Sequence, residues 1–280
     1  MKSIVRFLVI ALLAISAAAR ADTAAMILDV GGDVRILHGG KETTADIAAS
    51  VPAGSQLRLA KGAQVTLVHY AARSQIAATG PAMLAIEPQR VRGISGNAPQ
   101  VRPLPEQRAA AAQGFQGRVV PAALVMKVAG MALPPALQSP VEGDVILGTS
   151  PRFAWTTEAA GDFRLELLQG ERVLYAAAVA GGAAELPSHI ALLHGEHYRW
   201  RLLPADESKA LAATAAFSVA SREVESRLAA LRPGKPANRA DWVLYAMALE
   251  QARAVTAARE VWKTLAAQRP GSTQLKQFAE

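Results

Sequence analysis

Three histidines and a carboxylate crowd into nine residues: His189, His194, Glu196 and His197. Imidazole nitrogens and carboxylate oxygens are zinc ligands, and a site built from them would titrate near neutral pH. The spacing works against it. His194 and His197 stand three apart on a segment that reads as a turn entering a strand, and an odd separation along a strand sends side chains to opposite faces. Neither a third strong ligand nor a group to orient the rings is identifiable, so surface histidines are the expectation. Ser188-His189 puts a hydroxyl beside an imidazole, but a nucleophile also needs a base held by a third group. Adjacent acids stand at Glu142 and Asp144 and at Asp206 and Glu207. Without a cleft these read as solvated turn charge rather than as a catalytic pair. The chain has no Gly-x-Ser-x-Gly elbow, phosphate loop or His-Glu-x-x-His. The expectation is a protein without a catalytic site, cofactor or metal.

The elements that would have to position any such chemistry begin with an export signal. Lys2 and Arg6 precede an almost unbroken apolar run from Phe7 to Ala18, and Ala19-Arg20-Ala21 follows. That order is a secretory signal peptide, 1–21, with cleavage before Asp22. The run is short of the roughly 20 apolar residues of a bilayer-spanning helix, so the mature chain is expected to be periplasmic and not membrane-spanning. Cysteine is absent, which excludes disulfides, thiol nucleophiles, cysteine-ligated zinc and a lipid-modified cysteine. The formal charge of +7 falls by three, to +4, once Lys2, Arg6 and Arg20 are removed. Ordinary solubility charge accounts for that excess, and nucleic acid is not an expected partner.

Roughly 260 remaining residues exceed one ordinary domain, and the pattern divides accordingly. From 22 to 88, period-two segments such as Val34-Arg35-Ile36-Leu37, Leu57-Arg58-Leu59 and Gln64 to Tyr70 alternate with turns at Gly31-Gly32, Gly39-Gly40 and Lys61-Gly62. Short alternating strands at this spacing predict a small sandwich or barrel. Gly32-Asp33-Val34-Arg35, Val51 to Leu57 and Ala78-Thr79-Gly80-Pro81-Ala82-Met83-Leu84 resemble the FecR-type periplasmic β-domain. The namesake regulator also has a cytoplasmic anti-sigma region and a transmembrane helix, which this chain lacks. Its resemblance therefore implies an exported β-fold and not the signalling role.

Residues 89–137 are rich in Pro, Ala and Gly, with Arg90, Arg92, Arg102, Arg108 and Arg118 scattered among them. This reads as an extended basic linker with one possible strand at Ala122 to Val128, and as a potential contact for an anionic cell-wall polymer. A second β unit, 138–220, has strands about ten residues apart, consistent with an immunoglobulin-like sandwich. Pro151-Arg152-Phe153-Ala154-Trp155 and Gly195 to Trp200 resemble the "P-x-F-x-W" and "G-x-x-Y-x-W" strands of a bacterial fibronectin type III-like module. Tyr198 would then be a tyrosine-corner residue, its hydroxyl bonded to upstream backbone.

From 221 to 280 the period changes to 3.6. Val224, Leu228 and Leu231 share one helical face, Arg232-Pro233-Gly234 stops that helix, and Asn238 caps the next with Asp241 in the capping-box place. Trp242, Ala246, Leu249, Ala258, Trp262, Leu265 and Pro270 have the spacing of a single tetratricopeptide-like repeat. One repeat cannot close a core by itself. Either flanking helices complete a four-helix cap, or the hairpin buries its open face on a partner, with Trp242, Tyr245 and Trp262 as the candidate partner-binding residues.

The fold expected is mainly β with an α-helical tail: a small β-domain, an immunoglobulin-like sandwich and a C-terminal helical hairpin. The function expected is a non-enzymatic envelope protein that binds or scaffolds another protein. The alternative is a glycan- or peptidoglycan-binding protein using Trp155, Tyr198 and Trp200 or the basic linker.

Overall fold

The computed structural model describes residues 23–115, 134–157, 162–205 and 212–280. The expected signal segment 1–21, the strand expected at Ala122 to Val128 and the acid pair Asp206 and Glu207 lie outside them. Within the described residues the fold is mainly β with a helical tail.

Ten strands build the first unit: β1 (Thr23–Gly31), β2 (Val34–His38), β3 (Lys41–Thr44), β4 (Ser50–Pro52), β5 (Gln56–Leu59), β6 (Gln64–His69), β7 (Ser74–Thr79), β8 (Ala82–Ile86), β9 (Val91–Gly96) and β10 (Gln100–Pro103). They form two antiparallel sheets, ordered β10-β7-β6-β1-β4 and β3-β2-β5-β8-β9. Ile27, Val34, Leu57, Leu67, Ile76 and Leu84 fill the space between them. Alternation fixes this register, since a one-residue slip would turn each apolar set to water. The Gly80-Pro81 motif has a steric reason. A Cβ on Gly80 would stand 1.8 Å from the Ala60 carbonyl oxygen, where Gly80 N–H donates to Ala63 and its carbonyl accepts from Gly62.

The expected linker is corrected over its first part. β9 pairs with β8, β10 pairs with β7, and residues 106–115 form helix α1 (Glu106–Phe115). Three of the arginines that made this stretch look basic are paired with two carboxylates. Arg90 and Arg92 both pair with Glu87, and Arg108 pairs with Asp241 at 2.9 Å. Backbone pairing to existing sheet edges overrode the Pro and Gly content, because each added strand satisfied N–H and C=O groups those edges would otherwise leave open.

The second unit comprises β11 (Ala136–Ser139), β12 (Asp144–Ile146), β13 (Arg152–Thr156), β14 (Phe163–Gln169), β15 (Arg172–Val179), β16 (Ala183–Glu185), β17 (His197–Pro204) and β18 (Ala213–Val219). Its sheets run β11-β13-β16 and β12-β18-β17-β14-β15, with β12 parallel to β18. The first strand's continuation thus crosses to the opposite sheet, giving the immunoglobulin-like sandwich. Phe153, Trp155, Leu165, Leu167, Trp200 and Phe217 make its core. The Tyr198 hydroxyl accepts from Leu193 N–H at 3.0 Å, five residues upstream, as expected of a tyrosine corner.

Four more helices follow: α2 (Arg222–Leu231), α3 (Arg239–Gln251), α4 (Val255–Gln268) and α5 (Thr273–Ala279). Side-chain oxygens of Ser221, Asn238 and Ser272 accept from Val224, Asp241 and Leu275 N–H and cap α2, α3 and α5. Each cap meets one of the donors a helix start leaves open. The α3–α4 turn is tight, with Arg253 at φ +60°, and Ala246 and Ala258 are both fully buried between the two helices.

The helical layer is closed from within the chain and not by the tail alone. α1 packs on α3, and its Phe115 ring lies 6.1 Å from Trp262 and 5.4 Å from Phe278. Met26, Leu28, Val68 and Tyr70, on the outer face of the β1-β6 sheet, belong to the same apolar cluster. Asp29 accepts from Arg239 at 2.6 Å at its edge. The second sandwich attaches through buried Asp144. Its carboxylate accepts from the Thr256 hydroxyl and N–H, while Val145 N–H donates to Arg253 O at 2.9 Å.

Candidate partner-binding face

The three aromatic residues expected to meet a partner separate into different environments. Trp262 is fully buried, stacked on Phe278 at 5.0 Å and 28°, and is corrected from candidate contact to core. Tyr245 is also buried, at 8% exposure, and Trp242 is half-buried. These two meet edge to face, with centroids 6.0 Å apart and planes at 76°, an arrangement that ring quadrupoles favour. The physical reason for the correction is α1: the open face that a lone hairpin would offer is covered by this chain's own helix and sheet.

Trp242 and Tyr245 each line a shallow cleft, and Arg232 is a wall of both. One cleft, about 510 Å³, is bounded by Arg232, Pro233, Gly234, Lys235 and Trp242. The other, also about 510 Å³, lies where α2 meets the second sandwich and is bounded by Leu147, Arg222, Glu225, Leu228, Arg232 and Tyr245. Local sequence places these groups. Pro233 and Gly234 end α2 and turn the chain, so Arg232 and Lys235 project from the loop before Asn238 restarts a helix. Burial raises the Tyr245 hydroxyl above its ordinary pKa, with the Arg232 charge pulling the other way.

Charge on this face is unbalanced. Arg222, Arg232 and Lys235 are exposed and have no carboxylate partner among the described residues, whereas Glu225 and Asp241 are engaged. Glu225 accepts from Gly148 N–H and lies 3.6 Å from His194 Nδ1; Asp241 holds Arg108. In the sequence Arg232 stands out only as part of the Arg232-Pro233-Gly234 helix stop, and Lys235 does not stand out at all. A signal was available, because no Asp or Glu stands three or four residues from either, the spacing that would pair them on a helix.

The groups with spacing suggestive of chemistry are occupied elsewhere. His194 Nδ1 is 2.9 Å from Ala220 O, while His189 and His197 are exposed, and no cluster of three or more metal-ligating side chains occurs among the described residues. Glu142 accepts from Ala216 N–H at 2.7 Å, and Asp144 is the joint to α4. Trp155, Tyr198 and Trp200, the aromatic contacts of the polymer-binding alternative, are 2%, 4% and 0% exposed, so their planes face the core.

No known family's sequence profile matches the chain, and no curated protein matches it. Among solved structures it is similar to the fibronectin(III)-like modules of Clostridium thermocellum CbhA, at 12% identity and a TM-score of 0.25, over 78% of this chain and 87% of that one. A crystallised engineered protein overlaps at 15% identity and a TM-score of 0.26, over 31% of this chain and 20% of that chain. This chain thus spans about a fifth of the engineered protein's length. The strand orders β11-β13-β16 and β12-β18-β17-β14-β15 are what make the second unit immunoglobulin-like. No helix among the described residues is long and apolar enough to cross a membrane.

Proposed function

We propose that this chain is an exported, non-enzymatic protein of the cell envelope that binds or scaffolds another protein through the α2–α3 face. The observation that carries the reading is the pair of clefts joined at Arg232, where half-buried Trp242 stands beside cations that have no carboxylate partner among the described residues. Aromatic and arginine side chains concentrate binding energy at protein interfaces, and here they are mounted on a layer clamped to both sandwiches. Export is supported by the basic start, apolar run and Ala19-Arg20-Ala21 site. In this reading the first sandwich is a FecR-type β-domain with two added edge strands, the second is a fibronectin type III-like module, and α3–α4 is a tetratricopeptide-like hairpin whose inner face is filled by α1.

A photo-crosslinking residue at Lys235, in the full chain expressed in its own cells, tests this. The expected result is one discrete protein adduct, identified by mass, that also binds the purified chain and is missing when the crosslinker sits at Arg172 on the far β15 edge. Adducts of equal yield at both positions, or none at Lys235, would remove the α2–α3 face as the binding surface.

A further inference from the structure

We infer that the two clefts form one bipartite site for an acidic peptide segment carrying an aromatic or leucine side chain; this rests on the protein-binding reading above. The first cleft supplies the charge recognition. Arg232 and Lys235 flank the Trp242 indole, so a carboxylate there meets two cations while the adjoining methylene packs on the ring face. The guanidinium fork suits a carboxylate in particular, since it can donate two parallel N–H bonds.

The second cleft supplies the anchor. Leu228 and Tyr245 form its buried floor, and Leu147, 37% exposed, forms its rim on the second sandwich. An apolar side chain entering there covers a leucine that otherwise faces water, and its neighbouring backbone passes Arg222 and Arg232. Glu225 also lines this cleft and keeps its charge while accepting from Gly148 N–H, but Arg222 and Arg232 outnumber it there two to one and set the sign of the rim. Both clefts are open and of a size for one or two side chains each, within the range of ligand sites. Their shared Arg232 wall lets one ligand continue from the first cleft to the second, which a short extended segment can do and a compact anion cannot. The site lies outside the hairpin's inner face, because α1 and the β1-β6 sheet occupy that face.

The test uses a display library of random dodecapeptides selected on the full mature chain. Enriched clones are expected to carry net negative charge with at least one Phe, Trp, Tyr or Leu. They should lose at least tenfold in affinity on Arg232→Glu and on Trp242→Ala, and they should weaken severalfold between low and high salt, as exposed charge pairs do. Both substituted positions are exposed or half-buried, and an unchanged thermal transition in each variant separates lost binding from lost folding. Clones that are neutral or basic, or that bind Arg232→Glu as well as the parent, would overturn the acidic-peptide assignment. So would Arg232-dependent sedimentation with purified cell-wall polymer in the absence of any enriched clone. If the Lys235 adduct forms but its contacting segment is not acidic, this inference fails while the protein-binding reading stands; if the adduct is absent, both fail.

Discussion

β1 and β17 are both central strands of five-stranded sheets, yet they are built on different rules. β17 alternates: Tyr198, Trp200 and Leu202 point into the second sandwich, while His197 and Arg199 face water. β1 does not alternate. Ala25, Met26, Ile27 and Leu28 are all at most 2% exposed, with Ile27 in the sandwich core and Met26 and Leu28 in the helical cluster. A strand that is apolar on both faces requires a layer on each side. The contiguous Ala-Met-Ile-Leu run was therefore a signal that something covers the first sandwich's outer face. The second sandwich lacks such a run on β17, and helices touch it chiefly at β12 and the adjoining loops.

This contrast can be broken most severely at the two core tryptophans. Trp262→Ala and Trp200→Ala should each cost about 3–5 kcal/mol, as large aromatic deletions do, but with different reach. Hydrogen exchange should show β1 amides losing protection with α3 and α4 in Trp262→Ala, while Trp200→Ala spares β1. Unchanged β1 protection in Trp262→Ala would mean the helices and first sandwich unfold independently. Next in size, Leu28→Ala should cost about 2–5 kcal/mol by denaturant titration, whereas Arg199→Ala, on the solvent side of β17, should stay within about 0.5 kcal/mol. Similar values for the two would erase the distinction between doubly and singly covered strands.

Smaller effects sharpen the account of the second sandwich. Tyr198→Phe removes the acceptor for Leu193 N–H and should cost about 1 kcal/mol, read as a lower midpoint of that unit's transition. The smallest concerns Glu166, which sits between Arg201, at 2.6 Å, and Arg164, at 2.8 Å. The Arg201 hydrogen bond, reinforced by Arg164, holds the Glu166 carboxyl below its ordinary range against the upward pull of desolvation. A depressed folded-state pKa stabilises above the unfolded value, about 4.3, and that contribution is lost as pH falls through the folded value. Thermal midpoints measured from about pH 5 to pH 3 should therefore fall more in the parent than in Glu166→Gln, and parallel curves would assign the acid sensitivity elsewhere.

Much of the local structure was legible because it is decided locally. The Asn238 cap, the Pro233-Gly234 stop, the Tyr198 corner and the alternation of β5 and β17 each follow from a few neighbouring residues. The candidate site was legible in half. Trp242 and Tyr245 stood out as aromatics on a helix face, but Leu147 is about eighty residues before Leu228 in the chain, and no periodicity relates them. Arg232 gains its meaning only where two clefts share it.

Sequence by itself determined the strand and helix types, the β character of both units and the helical character of the tail, because hydrophobic period and capping chemistry act within a turn or a hairpin. Only the tertiary structure decided that residues 91–115 are strands and a helix, that Trp262 is core, and that Arg232 and Lys235, without carboxylate partners among the described residues, collect beside Trp242. Each of those outcomes depends on which distant surface fills an open edge or face. Phe115 reaches Trp262 and Phe278 only when the chain's β-domain and its C-terminal helices meet, so the burial that fixes α1 comes from residues more than a hundred positions away.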